Sequence, residues 1–331
     1  MVKISILGDV MTEPGLLADT KQSDGSYDYR PVFAPLKKTL AASDLVIANL
    51  ETPVAGEERE YSQTILSFNA PEALVTALQE IGVDAVSTAN NHAMDRGGAG
   101  FYATLDALDR LGMPHTGTYK KSGETDRNLY LTAGGLTVAV VAYTYGVNYY
   151  TTPGGKDGVA EDQINLLQAP GDKKNRPDPP EFGATVNLIR EMTGYEMTWE
   201  DKILLRNAMN VPVPYADDAF NRESTDQKLA LLARDLKEAK KRADLVLFVP
   251  HVGGQFNVEP GAFSRYAIEK ARSFGCDAIL AAHSHTTQRA EWQGGCPVYY
   301  SLGNVSMSSR TVYSQHRTLP QYGIIPHLYV E

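Results

Sequence analysis

One alternation of hydrophobic and polar positions keeps returning along the chain: a helical pattern, then Gly or Ala, an Asp, an apolar run and a polar cluster. Its copies are AASDLVIANLE (41–51), IGVDAVSTANNH (81–92), KRADLVLFVPH (241–251) and FGCDAILAAHSH (274–285). Each follows an amphipathic stretch, such as PEALVTALQE or DQKLALLARDLKEAKK, with apolar residues at helical spacing. The short apolar runs predict strands buried on both faces, and their alternation with helices predicts an α/β fold. The opening MVKISILGDV alternates apolar and polar residues and predicts a further strand ending in Asp9. In such sheets ligand sites lie beyond the carboxyl ends of the strands.

The polar endings fall at that position. They are Asp9, Glu51, Asn91-His92, His251 and the pair His283-x-His285. They come from five segments, which one sheet edge would gather. Carboxylate, amide and imidazole donors together suit Zn, Mn or Fe, whereas Mg and Ca prefer all-oxygen shells. A set this large suits two ions better than one. A single histidine at a strand end is usually a hydrogen-bonded structural residue; joint placement at one topological position favours the metal reading. His115, His316 and His327 lie elsewhere and read as structural or surface residues.

Composition narrows the function classes. With 331 residues and 43% hydrophobic content the chain can bury a large core, which argues against disorder. A net charge of -9 with scattered basic residues argues against nucleic-acid binding. Two cysteines, Cys276 and Cys296, allow at most one disulfide. No stretch of about 18 uncharged apolar residues encodes a transmembrane helix, and the N-terminus lacks the apolar core of a secretory signal. The sequence as it stands reads as a soluble, cytoplasmic protein.

The ordered motifs GDVM, NLETP, ANNHAMDRG, VPHVGG, AAHSH and YYSLGNV resemble the CapA family, named for poly-γ-glutamate capsule biosynthesis, within the calcineurin-like metallophosphoesterase superfamily. The resemblance covers almost the whole chain and is weakest over about 146–222. It implies a single domain over 1–331 with a four-layer α-β-β-α fold, in which two mixed sheets pack together with helices outside. It implies that Glu51 bridges two divalent transition metal ions, with Asp9 and His285 on one and Asn91, His251 and His283 on the other. His92 would face the substrate as general acid or charge stabiliser, and Asp95 is a candidate to orient it; a loop-capping role is the alternative for Asp95. The superfamily commonly carries Asp-x-His in its first motif, where this chain has Met11, a poor ligand for a hard ion. Glu13 could compensate, although its position suggests a surface turn. Asn304 would support the site from behind or simply form a turn. CapA relatives commonly carry an N-terminal membrane anchor, so an extracellular, membrane-anchored protein is the alternative location if an anchor has been removed.

Dinuclear hydrolysis of a phosphoester on a small molecule or polymer end leads the functional readings. Hydrolysis of a γ-glutamyl amide and a noncatalytic role in polymer binding or capsule assembly stand beside it. The segment 146–222 lacks the repeated module and reads as a lid insertion over the metal edge. It contains a helix start at TWEDKILLRNAMN, where Thr198 and Asp201 fit a capping box. Tyr145, Tyr149 and Tyr150, at or near its start, are candidate substrate contacts.

Overall fold

In strand β2 (Leu45–Leu50), Leu45 and Ile47 face one way and Val46, Ala48 and Leu50 the other, as a two-residue period requires. The same division runs through the computed structural model, which describes residues 1–148, 158–169, 176–213, 217–315 and 317–331. One sheet contains β1 (Val2–Val10), β2, β3 (Ala85–Ser87), β4 (His115–Thr116) and β11 (His327–Val330), in the order β11-β1-β2-β3-β4. The other contains β5 (Leu129–Ala133), β6 (Leu136–Thr144), β7 (Leu245–His251), β8 (Ala278–Leu280), β9 (Ala290–Gln293) and β10 (Cys296–Tyr299), in the order β5-β6-β7-β8-β10-β9. Both are mixed, because β11, β5 and β9 run antiparallel to their neighbours while the interior pairs are parallel.

The two sheets face each other. Ile4, Ile6, Leu45 and Ile47 of the first pack with Val138, Val140, Leu247, Val249 and Leu280 of the second. Residues of opposite parity meet helices. On the first sheet, Leu7, Val46, Ala48 and Val86 lie against α1 (Pro14–Thr20), α2 (Arg30–Leu40), α3 (Ala73–Glu80) and α4 (Gly97–Arg110). On the second, Val141, Tyr143, Val246 and Phe248 lie against α7 (Arg222–Arg242) and α8 (Ala262–Ser273). This is the four-layer α-β-β-α arrangement that the motifs imply.

Two helices, α5 (Pro180–Thr193) and α6 (Trp199–Met209), stand in the chain between β6 and α7. Thr198 caps α6 as its spacing predicts: its Oγ1 accepts from the Asp201 N–H, and the Asp201 carboxylate accepts from the Thr198 N–H. No helix among the described residues is long and apolar enough to cross a membrane.

Candidate metal centre

The parity that builds the inter-sheet core also builds the site. In β2 the inward series Leu45, Ile47 continues as Asn49 and then Glu51, immediately past the strand. In β7 the inward series Leu247, Val249 ends in His251. Strand β1 would miss by one residue, but its pairing with β2 shifts between Ile6 and Asp9, so that Ile6 lies opposite Ile47 and Asp9 opposite Asn49. This bulge returns Asp9 to the inner face. It needs Gly8, because a Cβ there would stand 2.0 Å from the Gly303 carbonyl oxygen.

β8 has the opposite difficulty. Ile279 and Ala281 point to the helices, so a strand continued through 283 and 285 would send both imidazoles away from the cleft. The chain instead leaves the strand with His283 at φ 110° and His285 at φ 55°. Left-handed backbone at non-glycine residues costs on the order of 1–3 kcal/mol each and collects at functional sites. Here it turns two histidines toward Glu51.

Five segments thus converge, from two sheet edges rather than the single edge expected from the motifs. His251 Nε2 lies 2.7 Å from Asn91 Oδ1 and 3.2 Å from Glu51 Oε1. Donor atoms of Glu51, His251 and His283 lie within 4.8 Å of one another, and so do those of Asp9, Glu51 and His285. Glu51 is common to both groups. Asp9 Oδ2 accepts from the His283 N–H at 3.0 Å and sits 3.4 Å from His285 Nδ1. The nearer partner of His285 Nδ1 is Asn304 Oδ1 at 2.9 Å. The Asn304 amide donates to the His285 and Pro320 carbonyls, which turns its oxygen to the ring and leaves His285 Nε2 toward Glu51 Oε1, 3.7 Å away. Asn304 therefore supports the site as well as shaping its loop.

Electrostatics test whether a cation fits. Burial, then the neighbouring charges of Asp9 and Asp95, push the Glu51 carboxyl well above its ordinary range. Both Glu51 oxygens are fully buried without a hydrogen-bond donor. A carboxylate in that position needs positive charge beside it. Burial would also raise Asp9, yet the His285 hydrogen bond and the charges of His251 and His285 hold it below the usual carboxylate range. Oxygen and nitrogen lone pairs aimed at common points, with few protons to satisfy them, form a donor set that fits transition metal ions.

His92 stands beside this cluster, its Nε2 3.9 Å from Glu51 Oε1. Its Nδ1 is 2.6 Å from Asp95 Oδ2, which also accepts the Phe68 N–H. Phe68 stacks on the imidazole at 4.2 Å between ring centres. Asp95 thus hydrogen-bonds both the His92 ring and the backbone of the Phe68 loop. Asn90 splints the motif by accepting the His92 N–H and donating to the Leu50 carbonyl.

Other expectations fare unevenly. Glu13 is not a surface turn residue: it is 3% exposed, precedes α1, and accepts the Ser308 N–H. Tyr145 packs its ring 4.6 Å from that of His283. Tyr149, Tyr150 and His316 lie outside the described residues. His115 and His327 hydrogen-bond to Met113 and Ser5, away from the cluster. Asn49 was missed, although it shares the inner face with Glu51 two residues on; its amide nitrogen lies 2.7 Å from Asp9 Oδ1 and 3.1 Å from His251 Nδ1. Phe256, in the loop after His251, was missed as well.

The chain matches the family "Bacterial capsule synthesis protein PGA_cap" over residues 3–309. It belongs to that family. The PGA biosynthesis protein CapA of Bacillus subtilis (strain 168) is 23% identical to this PGA_cap chain over 333 residues, covering 97% of this chain and 67% of the relative. The capsule biosynthesis protein CapA of Bacillus anthracis is 22% identical over 322 residues, covering 96% and 63%. The chain thus spans about two thirds of the length of these relatives. Among solved structures, a hypothetical protein of Thermus thermophilus aligns with a TM-score of 0.47 at 17% identity, covering 95% of this chain and 82% of that one. The order of the motifs points to the same family.

Proposed function

We propose that this PGA_cap protein is a metal-dependent hydrolase whose leading substrate class is a phosphoester. The observation that carries the reading is Glu51, buried with both oxygens lacking a donor and shared by two donor groups. In this reading two transition metal ions, Zn, Mn or Fe, would share Glu51. Asn91, His251 and His283 would help to hold one, and Asp9 and His285 the other. Ions held in this way supply Lewis acidity toward a phosphoryl oxygen and lower the pKa of water.

The chain's own contribution to bond breaking is His92. With Nδ1 held by Asp95, its Nε2 faces the cluster and can deliver a proton to the departing oxygen, while the Asp95 carboxylate stabilises the imidazolium before transfer. Phe68 covers one ring face and keeps the imidazole from turning.

The names of the relatives support a place in capsule or poly-γ-glutamate metabolism. That association makes a γ-glutamyl amide the second substrate class. Elemental analysis of protein purified without added metal, joined to a hydrolysis screen over phosphomonoesters, phosphodiesters and γ-glutamyl peptides, tests the proposal. Two bound ions with phosphoester turnover are expected. Turnover of the peptides alone moves the protein to the amide class, and bound metal without any turnover makes it a noncatalytic polymer-binding or assembly protein. Absence of bound metal overturns the site.

A further inference from the structure

His285 has a left-handed backbone that local sterics oppose, so its ring depends on what surrounds it. Asn304 holds one edge. Phe256 packs beside the imidazole, with ring centres 5.7 Å apart and planes tilted by 41°. Phe256 itself is at φ 58°, a rare conformation for a bulky aromatic residue, and it is 4% exposed. Its N–H donates to the carbonyl of Ser284, the residue between the two histidines, at 2.6 Å. The same residue therefore grips both the backbone of the His-x-His turn and the second imidazole.

Phe256 is held in turn from the far side. Tyr313 stacks on it with ring centres 4.6 Å apart and an interplanar angle of 23°. The Tyr313 hydroxyl accepts the indole N–H of Trp199 at 3.1 Å. Trp199 is the first residue of α6, fixed there by the Thr198–Asp201 capping box. Ile203, Val213 and Val312 close the apolar cluster around these rings. An unbroken line of contact therefore runs from α6 to a residue proposed as a metal ligand.

Resting on the metal reading above, we propose that Phe256 is a positioning residue for His285, and that Tyr313 and Trp199 make the docking of α6 part of the Asp9–Glu51–His285 site. Occupation of that site and docking of α6 stabilise each other. Linkage makes the coupling reciprocal: whatever factor α6 docking adds to metal affinity, metal adds to α6 docking. The Asn91–His251–His283 side meets Phe256 through the backbone of the shared His-x-His turn, but its His251 is fixed by the continuous β6–β7 ladder, so it depends on α6 less. Helix α6 then tunes the ion at the Asp9–Glu51–His285 site.

Cobalt titration followed by visible absorption tests this in the full chain, with Phe256→Leu and Tyr313→Phe as variants. Leucine keeps apolar volume but not the stack; phenylalanine keeps the stack but removes the acceptor for Trp199. Wild type should bind in two steps. Phe256→Leu should weaken one of them about tenfold, within the range for losing a supporting contact to a metal ligand, and the other by clearly less. Tyr313→Phe should weaken the same step by a smaller factor. In the reciprocal arm, saturating Mn²⁺ should slow amide exchange in α6 of wild type, and by less in Tyr313→Phe. A purely structural role for Phe256 would lower thermal stability without separating the two steps. Equal weakening of both steps, no change in either folded variant, or α6 exchange indifferent to metal would overturn the linkage while leaving the dinuclear reading intact. Wild type that takes up no cobalt would remove both. If Phe256→Leu fails to fold, Tyr313→Phe decides.

Discussion

The two groups of donors around Glu51 are built by different means. His251 ends a parallel ladder that pairs β6 with β7 from Val138 opposite Leu245 to Thr144 opposite His251, and its position follows from strand geometry alone. Asp9 reaches the cleft through a bulge, and His285 through a left-handed turn steadied by Asn304 and Phe256. One side is anchored to a sheet through His251, although Asn91 and His283 stand in turns; on the other no donor is held by regular strand pairing alone. The side made by loops is also the one where Met11 stands two residues after Asp9, where the resemblance of the motifs leads one to expect a histidine. If both bind metal, the sheet-built side should bind more tightly.

Removing a donor from the sheet-built side tests that contrast most severely. His251→Ala should lower metal affinity there by more than the roughly 10–100-fold typical of losing an outer partner, and because Glu51 is shared, occupancy opposite should fall too. Metal analysis of the folded variant checks this. Unchanged stoichiometry would defeat the dinuclear arrangement.

Next in size is His92, which adjoins both groups without belonging to either. His92→Ala should reduce turnover by about 10²–10⁴-fold while metal content stays at the parent level. Substrates with good leaving groups should lose less, since they need little protonation. Loss of metal in the variant would make His92 a ligand instead, and full activity on poor leaving groups would remove it from the reaction.

A third effect concerns stability on the loop-built side. Burial raises the Glu13 carboxyl to about 7, against the pull of the Ser308 N–H. The unfolded chain, with Glu13 near 4.5, releases this proton first as pH rises. The folded state is therefore penalised progressively from about pH 4.5 to 7, by a total on the order of 3 kcal/mol. Glu13→Gln keeps an acceptor for Ser308 and cannot ionise. Urea unfolding across pH 5–8 should show the wild type losing stability relative to the variant as pH rises; parallel curves would mean that Glu13 titrates normally.

The same contrast separates what the sequence disclosed from what it hid. Strands that follow the helix–Asp–apolar module, β2, β3, β7 and β8, and their polar ends were legible because a two-residue period and a polar stop are local properties. The distribution of these strands over two sheets was not, since pairing β6 with β7 across about a hundred residues leaves no local mark. Asn49 could have been found by extending the parity that places Glu51. Phe256 carried no such signal: its part depends on Tyr313 and Trp199, far away in sequence. Glu13 misled because acidic residues before a helix are normally exposed, and only the fold shows the Ser308 loop lying over it.

The smallest expected effect refines the comparison at its weak point. Met11 follows Asp9 by two residues, is buried, and has its backbone clamped on both sides by Ser306, whose hydroxyl meets the Met11 N–H at 3.2 Å and donates to its carbonyl at 2.9 Å. A fixed backbone means that a substitution changes the side chain with little movement of the chain. Thioether sulfur is a soft, weak donor for a divalent ion, whereas imidazole suits Zn and Fe. Met11→His should therefore tighten the weaker of two metal-binding steps by several-fold and leave the stronger step unchanged, narrowing the gap between the two sides. Calorimetric titration of the metal-stripped protein resolves the steps. An unchanged weaker step, with the fold intact by circular dichroism, would mean that position 11 does not face Asp9 and His285. The difference between the two sides would then rest on the loops alone.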